Sequence, residues 1–149
     1  MRLQWIPTDK KRFLSLLLLA DEQESMIDRY LMRGTMYTAV EGEQTFGVMV
    51  VVRQAQNVYE LKNLAVDPAH QRKGIGKWMI DELSRICRER GADTLRVGTG
   101  ESSKTLGFYQ NCGFAECGRE PDFFTKNYDH PIVEDGVTLR DMIYLEKKL

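Results

Sequence analysis

The sequence contains few cysteines and histidines, and this scarcity argues against several kinds of site. Only three of its 149 residues are cysteine and two are histidine. The cysteines, Cys87, Cys112 and Cys117, are odd in number and form no CxxC motif, which argues against a disulfide framework or a zinc site. His70 and His130 lie far apart in the sequence, so no metal-ligand spacing occurs. We therefore expect no metal cofactor.

A strong charge bias and a long apolar run are also missing. The formal net charge is −1, whereas a general polyanion binder is usually more basic, so nucleic acid is not an expected partner. The densest apolar run, residues 13–20, is too short to span a bilayer. No small-residue cleavage site of the A-x-A type follows it. We expect a cytoplasmic protein with no membrane partner, and the length suits a single domain.

Hydrophobic periodicity predicts an α/β (α+β) fold for the single domain of residues 1–149. Helices are predicted up to residue 20, over 22–32, over 74–90 and over 103–111. Strands are predicted over residues 36–40, 45–53, 58–66, 94–99, 114–119 and 142–147. This order indicates a mixed central sheet flanked by helices. Residues 121–137 fit neither period and are predicted to be a long loop, a feature that is often functional.

The segment VDPAHQRKGIG, residues 66–76, joins a predicted strand to a predicted helix. A helix start offers free backbone N–H groups and a positive dipole end, and both favour phosphate. Gly74 and Gly76 lie at this start and lack the Cβ that would block close approach. Three basic residues and no acidic one lie between residues 68 and 80. The segment suits a diphosphate cradle, or a turn whose glycines only begin a helix; neither the P-loop nor the dinucleotide spacing fits.

The end of this segment resembles the acetyl-CoA signature of the GCN5-related N-acetyltransferase (GNAT) superfamily, Q/R-x-x-G-x-G/A. Residues 71–76 match this signature as QRKGIG. The preceding strand, LKNLAVDP at residues 61–68, is also typical of the family. A second block, FYQNCGF at residues 108–114, resembles the family's FYxxxGF. The resemblance implies a mostly antiparallel sheet and acetyl transfer from acetyl-CoA to a primary amine.

The resemblance also implies where acetyl-CoA would bind. The strand of residues 58–66 would splay from its neighbour near residue 97, with the pantetheine arm in the gap and the pyrophosphate on the helix start. Many members carry an asparagine seven residues before the tyrosine of FYxxxGF, where this sequence has Ser102, a shorter donor and acceptor. The implied cofactor contacts are Leu64, Ala65, Val66, Gln71, Arg72, Lys73, Gly74, Ile75, Gly76, Lys77, Ser102, Lys104 and Tyr109.

Acetyl transfer to an amine needs a group that accepts the ammonium proton and one that protonates the departing thiolate. Glu60 lies six residues before Val66, where several family members carry a base glutamate. On a regular strand Glu60 and Lys62 would share one face with Leu64 and Val66. A surface pair with Lys62 is the alternative. Tyr109 is the implied acid, since an unperturbed tyrosine with a pKa of about 10 holds its proton at pH 7; a core tyrosine is the alternative. No histidine is near in sequence to activate Cys112, so we expect a buried small residue there, and we expect the same at Cys87 and Cys117.

Residues 121–137 supply the candidate acceptor contacts. Their aromatic and histidine side chains would either wall an acceptor pocket or anchor the loop, and the acidic excess of the segment favours a cationic acceptor. We expect a small amine acceptor, such as a polyamine. A peptide or protein amine, a non-catalytic acyl-CoA sensor and a purely structural domain are the alternatives, as a monomer or a homodimer. The candidate contacts are Phe123, Phe124, Tyr128 and His130.

Overall fold

The computed structural model describes every residue from Met1 to Leu149. The chain forms nine strands and five α-helices. The strands are β1 (Arg2–Ile6), β2 (Thr35–Glu41), β3 (Gln44–Ala55), β4 (Val58–Val66), β5 (Thr94–Gly100), β6 (Ala115–Glu120), β7 (Val133–Glu134), β8 (Val137–Thr138) and β9 (Met142–Lys148). The helices are α1 (Leu14–Ala20), α2 (Glu24–Ile27), α3 (Ile75–Glu89), α4 (Ser103–Asn111) and α5 (Phe123–Asn127).

Seven strands form one sheet in the order β1-β2-β3-β4-β5-β9-β6, and β7 and β8 form a separate hairpin. All neighbouring pairs in the sheet are antiparallel except β4 and β5. The single parallel pair follows from the crossover through α3, which returns the chain to the same end of the sheet. The predicted fold, a mixed and mostly antiparallel sheet flanked by helices, is confirmed.

Two hydrophobic clusters cover the two faces of the sheet. On one face, Met79 and Leu83 of α3 are fully buried against β3, β4 and β5. On the other face, Leu17 of α1 and Ile27 of α2 pack on β3. In β3, Met49 belongs to the first cluster and its neighbours in sequence to the second, as the two-residue period of a strand requires. The cluster to which a strand residue belongs therefore shows which face of the sheet its side chain occupies.

The structure differs from the sequence prediction at two places near the N-terminus. The sequence interpretation missed β1, a short edge strand that pairs with β2 and exposes Trp5. The predicted helix over residues 22–32 is only the four-residue α2, because the chain continues in turns that close with the Gly34 N–H donating to the Tyr30 carbonyl. Residues 28–33, which include Arg29 and Arg33, therefore lie in turns and not in a helix.

The predicted long loop over residues 121–137 contains α5 and the β7–β8 hairpin. The hairpin turn is Asp135-Gly136, with φ of 50° and 77°, so both residues adopt the left-handed conformation that a two-residue turn of this kind requires. Asp-Gly between short apolar stretches was the sequence signal for this hairpin. The segment is therefore a folded unit, and its side chains have fixed positions.

A β-bulge in β4 changes the face of its C-terminal half. Asn63 pairs with Val50 and Leu61 pairs with Val51, so Lys62 is the extra residue. Leu61 packs with α3, whereas Asn63 donates to the Leu17 carbonyl on the opposite face. Alternation is thus interrupted at the bulge. The prediction that Glu60 and Lys62 share a face with Leu64 and Val66 is wrong, since the latter two pack on the α3 side.

Candidate active site

Strands β4 and β5 separate part of the way along their length. Parallel pairing runs from Val58 opposite Thr94 to Leu61 opposite Val97 and then stops. Beyond that point β4 remains paired with β3, and β5 with β9. The edge of residues 62–66 that faces β5 therefore has no strand partner, and an extended ligand could pair with its backbone, although the Val66 carbonyl already accepts one hydrogen bond from the Gln71 side chain. The predicted splay is confirmed.

The start of α3 presents free backbone donors beside this gap. The first helical hydrogen bond runs from the Trp78 N–H to the Gly74 carbonyl. None of the N–H groups of residues 72–77 donates to another group of the chain. Six amides at a helix N-terminus, with no acidic residue in the first turn, form the kind of site that binds phosphate. This is the arrangement that the QRKGIG motif predicts.

The two glycines of the motif have different roles. Gly74 has φ of 79°, a left-handed conformation that favours glycine, and a Cβ there would meet no atom within 4 Å. At Gly76 a Cβ would lie 3.1 Å from Cζ of Phe108 on α4. Gly74 therefore permits the turn, while Gly76 permits close packing of α3 against α4.

The other predicted cofactor contacts lie around this helix start. The Gln71 side chain donates to the Val66 carbonyl at 3.0 Å and ties the turn to the end of β4. Arg72 and Lys73 are exposed and form no ion pair, whereas Lys77 pairs with Asp81 at 3.1 Å. Ile75 is buried in the core beneath the turn. Lys104, in the first turn of α4, is exposed and makes no hydrogen bond.

Ser102, the residue that precedes α4, is fully buried and already has a partner. Its hydroxyl donates to Oδ2 of Asp135 in the hairpin turn at 3.2 Å. The Thr105 hydroxyl donates in the same way to the Glu134 carboxylate. Two carboxylates thus lie at the N-terminus of α4, where the helix dipole favours negative charge. A contact between Ser102 and the cofactor stays a prediction.

Tyr109 lies on α4 with its ring in the core. The ring packs edge-on against Phe108 and Phe114 at centroid distances of 5.1 and 5.5 Å. Its hydroxyl hydrogen-bonds to no group of the chain. Burial raises the pKa of this hydroxyl well above its usual range, with smaller contributions from Cys112 and Glu134. Tyr109 therefore keeps its proton near neutral pH and has a donor free for a ligand.

The cysteines do not form a nucleophilic site. Cys112 is buried, and burial raises the pKa of its thiol, which disfavours the thiolate. Cys87 is likewise buried. The expectation of burial is wrong for Cys117, which lies exposed on the edge strand β6. No group of three or more His, Cys, Asp or Glu side chains is placed to hold a metal ion, and no helix is long and apolar enough to cross a membrane.

A cleft of about 180 Å³ opens on the opposite face of the sheet from α3, beside the splay. Glu60 lines it and is buried. Its Oε2 lies 2.6 Å from Lys62 Nζ, and its Oε1 lies 3.5 Å from Arg96 Nε. The predicted alternative, a Glu60–Lys62 pair, is present, but it lies within the cleft and is not a surface pair. The side chains lining the cleft are Asp21, Met26, Arg29, Tyr30, Arg33, Glu60, Leu61, Lys62, Gly98, Phe123, Tyr128, Met142 and Tyr144.

A buried hydrogen-bond network ends at Asp21 in this cleft. Asn63 donates to the Tyr30 hydroxyl at 3.1 Å, and Tyr30 donates to Asp21 Oδ2 at 3.0 Å. The Tyr128 hydroxyl donates to Asp21 Oδ1 at 2.7 Å. Burial raises the pKa of Asp21, and the two tyrosine hydrogen bonds partly oppose this. The network connects the β4 bulge, the end of α1 and the 121–137 segment.

The four predicted acceptor contacts fall into two groups. Phe123 and Tyr128 line the cleft. Phe124 is buried in a small cluster with Ile132 and stacks on Tyr128 at 5.5 Å, so it anchors the segment. His130 lies in a second, more open cavity of about 320 Å³, which Phe124 and Tyr128 also line, with its Nδ1 2.5 Å from Asp129 Oδ1. The structure thus brings two of the four residues to the cleft.

The acidic side chains of the 121–137 segment also lie outside the cleft. Asp122 pairs with Arg140 at 2.8 Å, and Asp129 contacts His130. Glu134 and Asp135 bind the start of α4. The acidic excess of this segment therefore lies outside the cleft, and the expectation of a cationic acceptor stays a prediction. Two carboxylates and three cationic side chains line the cleft, and they come mostly from α1, the turns after α2 and β4.

The sequence interpretation missed most of this cleft. Asp21 lies between two predicted helices, Arg29 lies in the second and Arg33 just after it, and none of the three was singled out. Gly98 was not singled out, although a Cβ there would lie 2.9 Å from Met142 Sδ. The glycine lets Met142 and Tyr144 lie over β5 as the wall of the cleft. An isolated glycine inside a strand pattern was the available signal.

The chain is similar to known proteins in both sequence and fold. The sequence profile described as Acetyltransferase (GNAT) domain matches residues 32–116. Uncharacterized N-acetyltransferase YvbK of Bacillus subtilis (strain 168) is 41% identical over 131 residues, which is 87% of this chain and 84% of that protein. The chain therefore belongs to the GNAT superfamily and is an acetyl-CoA-dependent N-acetyltransferase.

Two solved structures share the fold over the whole chain. An IAA acetyltransferase from Bacillus cereus ATCC 14579 has a TM-score of 0.92 at 38% identity, with 99% of each chain covered. A GNAT family acetyltransferase from Elizabethkingia anophelis, with acetyl-CoA bound, has a TM-score of 0.90 at 33% identity, with 99% of this chain and 98% of that chain covered.

Proposed function

We propose that the protein transfers the acetyl group of acetyl-CoA directly to the primary amine of a small molecule bound in the cleft that Glu60 lines. The splay between β4 and β5 carries this proposal, because it connects the free amides at the start of α3 with the cleft. Pantetheine in the gap would pair with the backbone of residues 64–66. The pyrophosphate would lie on the amides of residues 72–77.

Glu60 is the proposed base. Most alkyl amines are protonated near pH 7, and only the free amine attacks a thioester, so a proton must leave before or during attack. Glu60 is the one carboxylate of the cleft that lies on β4, the strand that forms one side of the splay. Because Lys62 and Arg96 already contact its two oxygens, we infer that the proton reaches Glu60 through a water molecule.

Tyr109 is the proposed acid. The departing CoA thiolate is stabilised by a donor, and a tyrosine whose pKa is raised by burial still has its proton at the working pH. Its free hydroxyl supports this role, since a purely structural tyrosine needs no donor available to a ligand. A backbone N–H near Val66 is the proposed donor to the oxyanion of the tetrahedral intermediate.

The folded 121–137 segment favours a small acceptor over a peptide. Tyr128 is bound to Asp21, and the Asp129 N–H donates to Gln23 Oε1 at 2.9 Å. Asn127 accepts from Arg29 at 3.0 Å. These three contacts hold the segment against α1 and α2, where a peptide substrate would need an open groove.

Turnover of Glu60→Gln across an amine panel tests this function. Thiol release from acetyl-CoA should occur with at least one small amine in the wild-type protein. In Glu60→Gln we expect kcat to fall about 100-fold, with acetyl-CoA affinity within twofold of wild type. Glu89→Gln, an exposed glutamate of α3 paired with Arg85, is the matched control.

Two outcomes would contradict the proposal in different ways. Unchanged turnover of Glu60→Gln at every pH would remove Glu60 from the mechanism. Thermal stabilisation by acetyl-CoA without thiol release from any amine would instead favour the non-catalytic sensor. A ligand that binds only the folded state must stabilise it, so this second measurement separates binding from chemistry.

A further inference from the structure

We propose that the acceptor carries an anionic group, a phosphate or a carboxylate, in addition to its amine, and that Arg29 and Arg33 bind this group. The inference rests on the proposed function, because it concerns the acceptor of that reaction. It replaces the cationic acceptor that the acidic composition of residues 121–137 favours.

Both arginines line the cleft, and neither forms an ion pair with a carboxylate. The acidic residues nearest in sequence have other partners. Glu24 and Asp28 each lie 2.8 Å from Lys11 Nζ, on the surface. Uncompensated guanidinium groups beside a cleft are the expected feature of a site for an anionic ligand.

The two guanidinium groups are held in position by contacts that leave most donors free. Arg29 Nη1 donates to Asn127 Oδ1 at 3.0 Å, and Arg33 Nε donates to the Arg29 carbonyl at 3.1 Å. A guanidinium carries five N–H donors in a planar fork that matches two oxygens of a carboxylate or phosphate. Each arginine therefore retains donors for such a group after its own contact is made.

The carboxylates of the cleft do not cancel this charge. Glu60 is held by Lys62 and Arg96. Arg29 is near enough to Asp21 to lower the pKa of that carboxyl slightly, but both Asp21 oxygens accept hydrogen bonds from tyrosines. An acceptor could therefore place its amine at the splay, near Glu60, and bind its anionic group to the two arginines at the same time.

Matched pairs of amines test the inference. The carboxylate pairs are β-alanine against n-propylamine and phenylalanine against phenethylamine; the phosphate pair is O-phosphoethanolamine against ethanolamine. Thiol release is measured at fixed ionic strength. We expect the best acceptor to carry the anionic group, with a KM at least about tenfold lower than that of its neutral counterpart. Comparison of the two kinds of pair distinguishes phosphate from carboxylate.

The double variant Arg29→Ala/Arg33→Ala identifies the site. For the anionic acceptor its KM should rise at least about tenfold with kcat within twofold, because removal of a charge-assisted contact weakens binding without changing the chemistry. The neutral counterpart should be unaffected. Arg88→Ala removes an exposed arginine of α3 that also lacks an ion pair and should change neither KM.

The outcomes separate this inference from the proposed function. The inference is overturned, and the proposed function is not, if neutral amines release thiol at least as well as their anionic counterparts. The same conclusion follows if the KM values of both amines rise equally in the double variant. Absence of thiol release with every amine overturns the function. The arginine site is then decided by binding alone.

For that binding test, the protein is saturated with CoA so that the amides of α3 are occupied, and is titrated with inorganic phosphate and with acetate at constant ionic strength. Thermal stabilisation by either anion in the wild type and Arg88→Ala, but not in the double variant, supports the site. Equal stabilisation of all three proteins, or stabilisation of none by either anion, overturns it.

Discussion

Gly76 in the first turn of α3 lies directly against Phe108 of α4, and a Cβ at this glycine would be 3.1 Å from the Phe108 ring. Gly107, inside α4, has no atom within 4 Å of such a Cβ. The same substitution should therefore have different effects at the two sites. Gly107→Ala should raise the free energy of unfolding by about 0.5–1 kcal/mol through helix propensity.

Gly76→Ala should not show this gain, because Phe108 must move by a few tenths of an ångström to admit the methyl group. It should also weaken acetyl-CoA binding, because repulsion between the added methyl group and Phe108 also acts on the start of α3, whose amides are proposed to hold the pyrophosphate. Urea unfolding and a CoA titration measure the two effects. Equal stabilisation by both substitutions would mean that the α3–α4 contact is not restrictive.

Tyr109→Phe should lower kcat about 100-fold while acetyl-CoA affinity changes little. The Tyr109 hydroxyl hydrogen-bonds to no group of the chain, so its removal should not destabilise the fold. Tyr37→Phe, in another buried tyrosine of the same cluster, is the control and should keep full activity. Full activity of Tyr109→Phe would remove this hydroxyl from the mechanism.

Asp21→Asn should change how stability depends on pH. Burial raises the pKa of Asp21 in the folded protein above the ordinary value of 3.8. The folded state therefore binds this proton more tightly than the unfolded chain, so the stability that Asp21 contributes is greatest below pH 3.8 and is lost as pH rises through the folded pKa.

The asparagine variant lacks this titration. The free energy of unfolding of the wild type, minus that of Asp21→Asn, should accordingly fall as pH is raised from about 3.8 toward neutrality. Urea unfolding at a series of pH values measures the difference. A difference that is constant over this range, or that grows with pH, would contradict the burial argument.

The regular elements were the predictable part of the fold. The sequence placed β4 at its observed bounds, because Asp67 and Pro68 end the strand, and α3 nearly so, because its apolar residues keep one helical period. The bulge at Lys62 could not be predicted, since an extra residue is defined only by pairing with β3. That one residue moves Glu60 to a different face from Val66.

The cofactor side of the site was predictable, and the acceptor side mostly was not. The QRKGIG motif is local, because its chemistry depends on amides of consecutive residues. The cleft instead combines Asp21 at the end of α1, Arg29 and Arg33 from turns, and Tyr128 from a segment about a hundred residues later. Only tertiary packing brings these residues together, and the acidic composition of residues 121–137 says nothing about the charged side chains that line the cleft.

Initial-rate kinetics with both substrates varied test direct transfer of the acetyl group. Direct attack by the amine requires both substrates on the enzyme at once, so double-reciprocal plots at several acetyl-CoA concentrations should intersect. Mass spectrometry of protein incubated with acetyl-CoA alone should show no added acetyl group. Parallel lines, together with acetyl on Cys112, would contradict direct transfer and establish a covalent acetyl-enzyme.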